Sequence, residues 1–431
     1  MLIFISDLHF IDKTAGLHNT PSRALEGVFK DIRDYSDKPT EIKIIFLGDT
    51  FDLIRTTYWL DVPESERPWG DRESKSPFIE AHANMIMDAI VKKNSNVFTF
   101  LRDGLEKFFD QKVEKIYIPG NHDRLCNVYD SLRRKVRSTL GIPGDAEPFP
   151  HVYDDMRFGN KYRVFARHGH EFDKWHYEGS TNWTDQDYGQ VPIGDVMATE
   201  IVSRIPHTIM QNIGNSIPED QKDELKRNLQ EVDNVRPFAA IVEWLFYQVN
   251  QNPDLSEVIN KSLADIASNF ENLQYLKGWY KKHEKFLKID DADEVQGLIE
   301  LFKNFNVNAA ETLINIFSRI FGSERFASPD DSDKDLNEGA ADFLTLSPNY
   351  RSIVMGHTHN PLQIPIGVTS DGLEQIYINT GTWRKRYIQG TNSGFIGLKY
   401  LTYAVFYNED ENPNQFFETW TGTLKEEGMK G

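Results

Sequence analysis

The chain has 431 residues, room for two or three domains at roughly 150 residues each, and its 39% hydrophobic and 26% charged residues are those of an ordinary globular protein. No apolar run reaches the roughly 20 residues that span a bilayer, and a single cysteine, Cys126, excludes an internal disulfide and fits a reducing, cytoplasmic setting. The formal net charge of −18 disfavours a nucleic-acid binder, whose grip on many phosphates calls for a basic surface.

In chain order, the apolar Leu2–Ile5 has no basic flank or cleavage pattern and reads as a strand running into Ser6-Asp7. Helices are predicted around 24–32, 81–92 and 98–109. Between and after them lie strand-like runs: Ile42–Leu47 leads into Gly48-Asp49, 116–118 into Pro119-Gly120, and 162–166 into Arg167-His168-Gly169. This alternation predicts α/β layers around a central core. From about Gly179 the spacing becomes helical, with Phe238, Ile241, Val242, Leu245, Phe246 and Val249 on one face, then Leu263, Ile266 and Phe270. Leu313, Ile314, Phe317, Ile320 and Phe321 form a further face that Gly322 would end. Residues 328–335 are polar and acidic and read as a loop. Strand texture returns at Ser352–Met355, 375–378 and 395–405. The pattern divides into one α/β domain, 1–178 with 345–431, and a helical insertion over 179–344. That insertion would act as a lid or as the contact of a homo-oligomer.

Five short motifs carry the chemistry: Asp7-Leu8-His9, Gly48-Asp49-Thr50-Phe51-Asp52, Gly120-Asn121-His122-Asp123, His168-Gly169-His170 and Gly356-His357-Thr358-His359. Singly, Asp-x-His is also a capping pattern and Gly-Asp is ordinary turn chemistry. His-Gly-His and Gly-His-Thr-His are more specific, since histidines paired beside glycine often ligate metals. A string such as Gly-Asn-His-Asp arises by chance in about one in a thousand chains of this length, so chance explains all five poorly. Carboxylate, imidazole and amide donors without thiolate suit Mn, Fe, Co or Zn rather than Cu(I) or an iron–sulfur cluster. The donors suffice for two ions roughly 3.5–4 Å apart, joined by a carboxylate. Such a pair polarises phosphoryl oxygens and deprotonates a bridging water, giving a hydroxide for in-line attack on phosphorus.

In this order the motifs resemble the calcineurin-like metallophosphoesterase superfamily. They cover a small part of the chain, but their spread places 1–178 and 345–431 in that fold, a β-sandwich flanked by helices. The resemblance implies a phosphatase-type hydrolase, a metal-dependent phosphoric ester hydrolase, with two divalent ions, manganese favoured. Asp7, His9 and His359 would bind the first metal, Asp49 would bridge, and Asn121, His168 and His357 would bind the second. His122 would stand by the leaving-group oxygen as general acid or charge stabiliser, oriented by Asp52. An imidazolium is suited to that task near neutral pH, and a carboxylate on its far nitrogen fixes the ring. Asp52 has a competing role as a helix-start cap.

The resemblance takes the ligand of the fourth motif from His168. His170 then contacts substrate or a metal-bound water, or supports the loop. Arg124, next to the third motif, would reach a phosphate oxygen in bidentate geometry. The run Arg384-Lys385-Arg386 either binds substrate or is a solvated charge cluster, the latter preferred. Phe172, Trp175, Tyr177, Trp183 and Tyr188 either wall a pocket or pack the insertion onto the core, the latter preferred. His18, His82, His151, His207 and His283 lack partners at ligand spacing.

The substrate class stays open among phosphomonoester, phosphodiester and pyrophosphate. Asp52 is followed by Leu53-Ile54-Arg55 rather than Arg-Gly, and Gly-Asn-His-Asp replaces Gly-Asn-His-Glu, which departs from the Ser/Thr protein phosphatases. Gly-Asp-x-Phe-Asp is similar to motifs of bacterial nucleotide-sugar-lipid pyrophosphatases and of repair nucleases. A metal-dependent DNA or RNA nuclease is therefore the enzymatic alternative, weakened by the charge. A non-catalytic metal-binding scaffold is the other, although every expected ligand is present.

Overall fold

A computed structural model describes residues 1–18, 20–36, 39–70, 76–159, 161–179, 190–236, 240–251, 253–283, 291–304, 330–389 and 394–422. Its strands are β1 (Leu2–Ile5), β2 (Ile42–Leu47), β3 (Val113–Ile118), β4 (Val152–Asp154), β5 (Val164–Arg167), β6 (Val235–Arg236) and β7 (Ser352–Met355). They continue with β8 (Pro361–Val368), β9 (Glu374–Thr380), β10 (Lys385–Gln389), β11 (Phe395–Lys399), β12 (Leu401–Phe406) and β13 (Phe417–Gly422).

One mixed sheet runs β13-β12-β1-β2-β3 and another β4-β5-β7-β9-β8. Every residue of β1 and β2 is buried, as a strand covered on both faces requires. Side-chain alternation assigns the faces. Ile3, Ile5, Ile44 and Phe46 share a core with Leu25, Phe29, Ile86, Ile90, Leu132 and Val136 of helices Ser22–Tyr35, Pro77–Lys93 and Asp130–Leu140. Leu2, Phe4, Ile45 and Leu47 instead meet Val164, Ala166, Val354 and Ile378 of the second sheet. The outer face of that sheet is covered by helix Asp330–Leu346, whose Leu336, Ala340 and Phe343 pack on Phe165, Ile353, Met355 and Tyr377. The expected α/β layering is thus observed, as helix, sheet, sheet, helix.

Two expectations change. The acidic stretch 328–335 is not a loop where it is described: from Asp330 it is helix. Asp333 lies in the first turn, where negative charge complements the helix dipole, so loop-like composition and helical structure coincide. The expected strand 395–405 is two strands, β11 and β12, in different sheets.

The segment from helix Ile193–Met197 to helix Asp291–Lys303 has its own core, including Ile205, Ile209, Leu245, Leu263, Ile266 and Val295. The face predicted at Leu313–Phe321 lies outside the described residues. A hairpin of the C-terminal segment docks on this helical core: β10 pairs with β11 and, in parallel, with β6, and Tyr387 and Phe395 pack on Trp244. Among the described residues, no helix is long and apolar enough to cross a membrane.

Candidate metal centre

The five motifs stand at the carboxyl ends of β1, β2, β3, β5 and β7. β1, β2 and β3 are mutually parallel, as are β5 and β7, so their ends bring the motifs together. Asp7, His9, Asp49, His357 and His359 all have positive φ, from 46° to 72°. Among the described non-glycine residues only Lys13, Asp110 and Arg163 share that conformation. It costs of order 1–3 kcal/mol per residue and persists only where surroundings over-determine it. Here they do: Asp7 N donates to Gly48 O (3.2 Å), His9 N to Asp49 O (2.8 Å) and Gly356 N to His168 O (2.9 Å).

Two bracing groups were not legible from the motifs. Asp123 accepts from Gly120 N (2.6 Å), Thr50 N (2.9 Å) and Phe51 N (3.3 Å), buckling the second motif to the third. The turn after β9 adds a sixth strand end, where Asn379 Nδ2 donates to Gly356 O (2.7 Å) and Thr382 Oγ1 to Asp7 O (2.9 Å).

Buried His and Asp side chains here could hold metal ions. Asp7, His9 and His359 form one such group, and Asp7, Asp49 and His168 a second, with ligand atoms within 4.8 Å of one another in each. His9 Nε2 lies 2.9 Å from His359 Nε2 and 3.6 Å from Asp49 Oδ2. His359 Nε2 is 3.3 Å from Asp7 Oδ1, and His168 Nε2 is 3.4 Å from Asp49 Oδ2. Asn121, 2% exposed, lies in the chain between two residues that touch Asp49: a Cβ at Gly120 would stand 2.2 Å from Asp49 Oδ1, and His122 N donates to the same oxygen.

The donor chemistry fits divalent cations. Asp7 Oδ1, Asn121 Oδ1 and His168 Nε2 are buried and find no hydrogen-bond partner among the described residues, a state that folded proteins rarely leave unexplained. His168 Nδ1 faces the Leu47 carbonyl at 2.9 Å and must donate to it, so in the neutral ring Nε2 presents a lone pair to the Asp49 carboxylate. His9 repeats the arrangement, with Nδ1 3.1 Å from Asp52 Oδ2 and Nε2 turned inward. A cation between these atoms turns repulsion into coordination.

The local field points the same way. Burial opposes charge on Asp7, Asp49 and Asp52, but facing imidazoles override it and hold all three below the usual carboxylate range. Burial likewise opposes a proton on His168, and Asp49 overrides it, raising the ring to about 10. An ion bound at Nε2 would have to displace that proton, and the Asp49 and Asp7 carboxylates that raise the ring are the charges that would favour a cation in its place.

Asp52 joins two rings: Oδ2 faces His9, and Oδ1 lies 3.0 Å from His122 Nδ1 while also accepting from Arg55 N (2.9 Å). No helix starts at Asp52: the next helical turn, Thr57–Asp61, is capped by Thr56, so the expected helix-start cap is not what this carboxylate does; it ties the turn to Arg55 N and faces the His122 ring. His122 N donates to Asp49 Oδ1 (2.9 Å). Burial pulls the His122 ring down, yet Asp52 and Asp49 raise it to about 9. Its side chain is 15% exposed, against 0% for His9 and His168, so it stands at the mouth of the group.

His357 Nε2 is taken by Asp173 Oδ2 (3.0 Å), and its ring centroid lies 5.4 Å from that of His168. Asp173 and His176, which join it, were missed from sequence because neither lies in a paired motif. His170 is buried 5.2 Å from the His168 ring, and burial lowers it to about 3, so it is neutral. Arg124, the expected phosphate contact, is 4% exposed and bound through Nε to Asp195 Oδ2 (2.6 Å) of the insertion.

The run 384–386 is not a solvated cluster. Arg384 is 2% exposed and pairs with Asp233 and Asn234, while Arg386 Nη1 donates to His359 O (3.1 Å). Of the aromatic stretch, Phe172 packs under helix Asp330–Leu346 and Trp175 against the helical core. Trp183 and Tyr188 lie outside the described residues.

The chain matches no protein-family model and no curated protein.

Proposed function

We propose that the chain is a dinuclear metal-dependent phosphoesterase of the calcineurin-like type, hydrolysing a phosphomonoester, phosphodiester or pyrophosphate bond. One observation carries the reading: buried donor atoms without hydrogen-bond partners converge from parallel strand ends around Asp49, beside a separate His122–Asp52 pair. Asp7, His9 and His359 would hold one ion and Asn121, His168 and His357 the other, with Asp49 shared. The donor set suits Mn, Fe, Co or Zn, with Mn favoured. Two bound divalent ions supply Lewis-acid polarisation of a phosphoryl oxygen and a lowered water pKa.

The remaining work falls to the chain's own residues. Asp52 fixes His122 through Nδ1, which leaves Nε2 to hand a proton to the leaving-group oxygen as its bond to phosphorus breaks. The facing His122 and His9 rings, with a smaller contribution from Arg55 at 3.7 Å, keep that carboxylate ionised. The bracing by Asp123, Asn379 and Thr382 holds the donors near one geometry, which is what positioning requires.

Protein stripped by a chelator and reloaded with Mn(II) is expected to hydrolyse an aryl phosphodiester or monoester, and chelation to abolish the activity. No turnover of either ester with Mn, Fe, Co or Zn would defeat the proposal. Cleavage of single- or double-stranded DNA, with nothing on small esters or pyrophosphates, would move the assignment to a nuclease.

A further inference from the structure

Asp173 and His176 lie outside the five motifs, yet they surround a residue of the fifth. Asp173 ends the short turn His170–Phe172, with its N bonded to His170 O (3.0 Å). Its carboxylate is held by the next turn of chain: Oδ1 accepts from Trp175 N (2.9 Å), and His176 N closes on Asp173 O (2.9 Å). Oδ2 is thereby aimed at His357 Nε2, 3.0 Å away. His176 stacks edge-on against His357, ring centroids 4.9 Å apart, with Nδ1 3.0 Å from the same Asp173 oxygen. The insertion buttresses this corner. Gly194 N donates to Trp175 O (2.7 Å), and a Cβ at Gly194 would stand 2.7 Å from His176 Cδ2, so only glycine lets the helix approach so closely.

We infer that Asp173 is a positioning residue for His357: by accepting from Nε2 it fixes the ring and the tautomer that leaves the Nδ1 lone pair for a metal ion. The inference rests on the proposed dinuclear site. A carboxylate cannot donate, so Nε2 must carry the proton, and in the neutral ring Nδ1 is then bare. The carboxylate also raises the basicity of the ring it holds, and such partners contribute about 10–100-fold to metal affinity. Because the Trp175 amide holds Asp173 Oδ1, the orientation of the carboxylate does not depend on the ion. His176 and Gly194 pack the turn from outside, which ties the insertion to the second metal position.

Asp173→Asn tests this with little disturbance of the turn. The amide oxygen still accepts from Trp175 N, but the amide NH2 now faces Nε2 and drives the proton to Nδ1, where the ion should bind. Full-length protein, stripped by a chelator and titrated with Mn(II), is read by the electron paramagnetic resonance of free Mn(II) and by elemental analysis. Wild type is expected to bind two ions. Asp173→Asn is expected to keep one at wild-type affinity and bind the other about 10–100-fold more weakly, with an unchanged melting temperature when metal-free. Asp173→Glu, which displaces the carboxylate, should weaken the same ion and serves if the first variant melts early. Two ions at wild-type affinity in both variants would overturn the inference while leaving the dinuclear reading intact. Three ions in wild type and two in Asp173→Asn would overturn it in another way, making Asp173 itself a ligand. Fewer than two ions in wild type would instead defeat the dinuclear reading.

Discussion

Gly48→Ala would show how far the strand-end backbone, as well as the ligands, builds this site. Gly48 has a φ of +83°, and a Cβ there would overlap His168 Nδ1 and Cγ and come 2.8 Å from the His168 Cβ. Carbon contacts sit at about 3.5–4.0 Å, so the ring must retreat by roughly 1–2 Å. That breaks the 2.9 Å bond from Nδ1 to Leu47 O and turns Nε2 away from Asp49. Losing the buried bond costs about 1–3 kcal/mol and holding alanine in left-handed backbone about 1–2, while the stiffer unfolded chain returns about 0.4–1. The net loss is roughly 3 kcal/mol for the metal-free protein, measured by urea unfolding followed through tryptophan fluorescence. Mn(II) titration should show one of two ions weakened at least about tenfold. A variant that unfolds at the wild-type midpoint and binds Mn(II) as wild type does would refute the reasoning.

Asp233→Ala leaves Arg55 and Arg384, 1% and 2% exposed, facing each other without their shared carboxylate. Breaking a buried pair costs about 3–5 kcal/mol, so denaturant unfolding should detect a large loss; one below about 1 kcal/mol, the range of an exposed pair, would sink the argument. Glu171 is buried 2.7 Å from Arg167, and although burial resists its charge, Arg167 holds it well below the usual carboxylate range. A depressed folded pKa gives stability that is present above the unfolded value of about 4.3 and lost as pH falls towards the folded one. The stability gap between wild type and Glu171→Gln should therefore be constant near neutrality and shrink below about pH 4; a gap that stays flat there contradicts the linkage. His122→Ala is expected to bind both ions as wild type does and to lose about 10²–10⁴-fold in turnover. Loss of an ion in that variant would reassign His122 as a ligand.

The chemistry of the centre was legible in the linear sequence because each motif is local. A strand-like run followed at once by Asp7, Asp49, Asn121, His168 or His357 places a donor at a strand end whatever the rest of the chain does, and the buried runs of β1 and β2 needed no partner to be recognised. The α/β layering followed from the same alternation. The long-range partners were decided only by the tertiary structure. Arg384 reads the same in sequence whether solvated or paired, and its partner Asp233 lies 151 positions away. His357 and Asp173 are 184 residues apart, brought together because β5 and β7 are parallel neighbours that end at the same edge. The acidic start of helix Asp330–Leu346 has the composition of a loop, and it is the apolar outer face of the second sheet that gives the helix a surface to bury against. Local residue types determine which donors exist; which nitrogen of each ring is left bare depends on hydrogen bonds made across the fold.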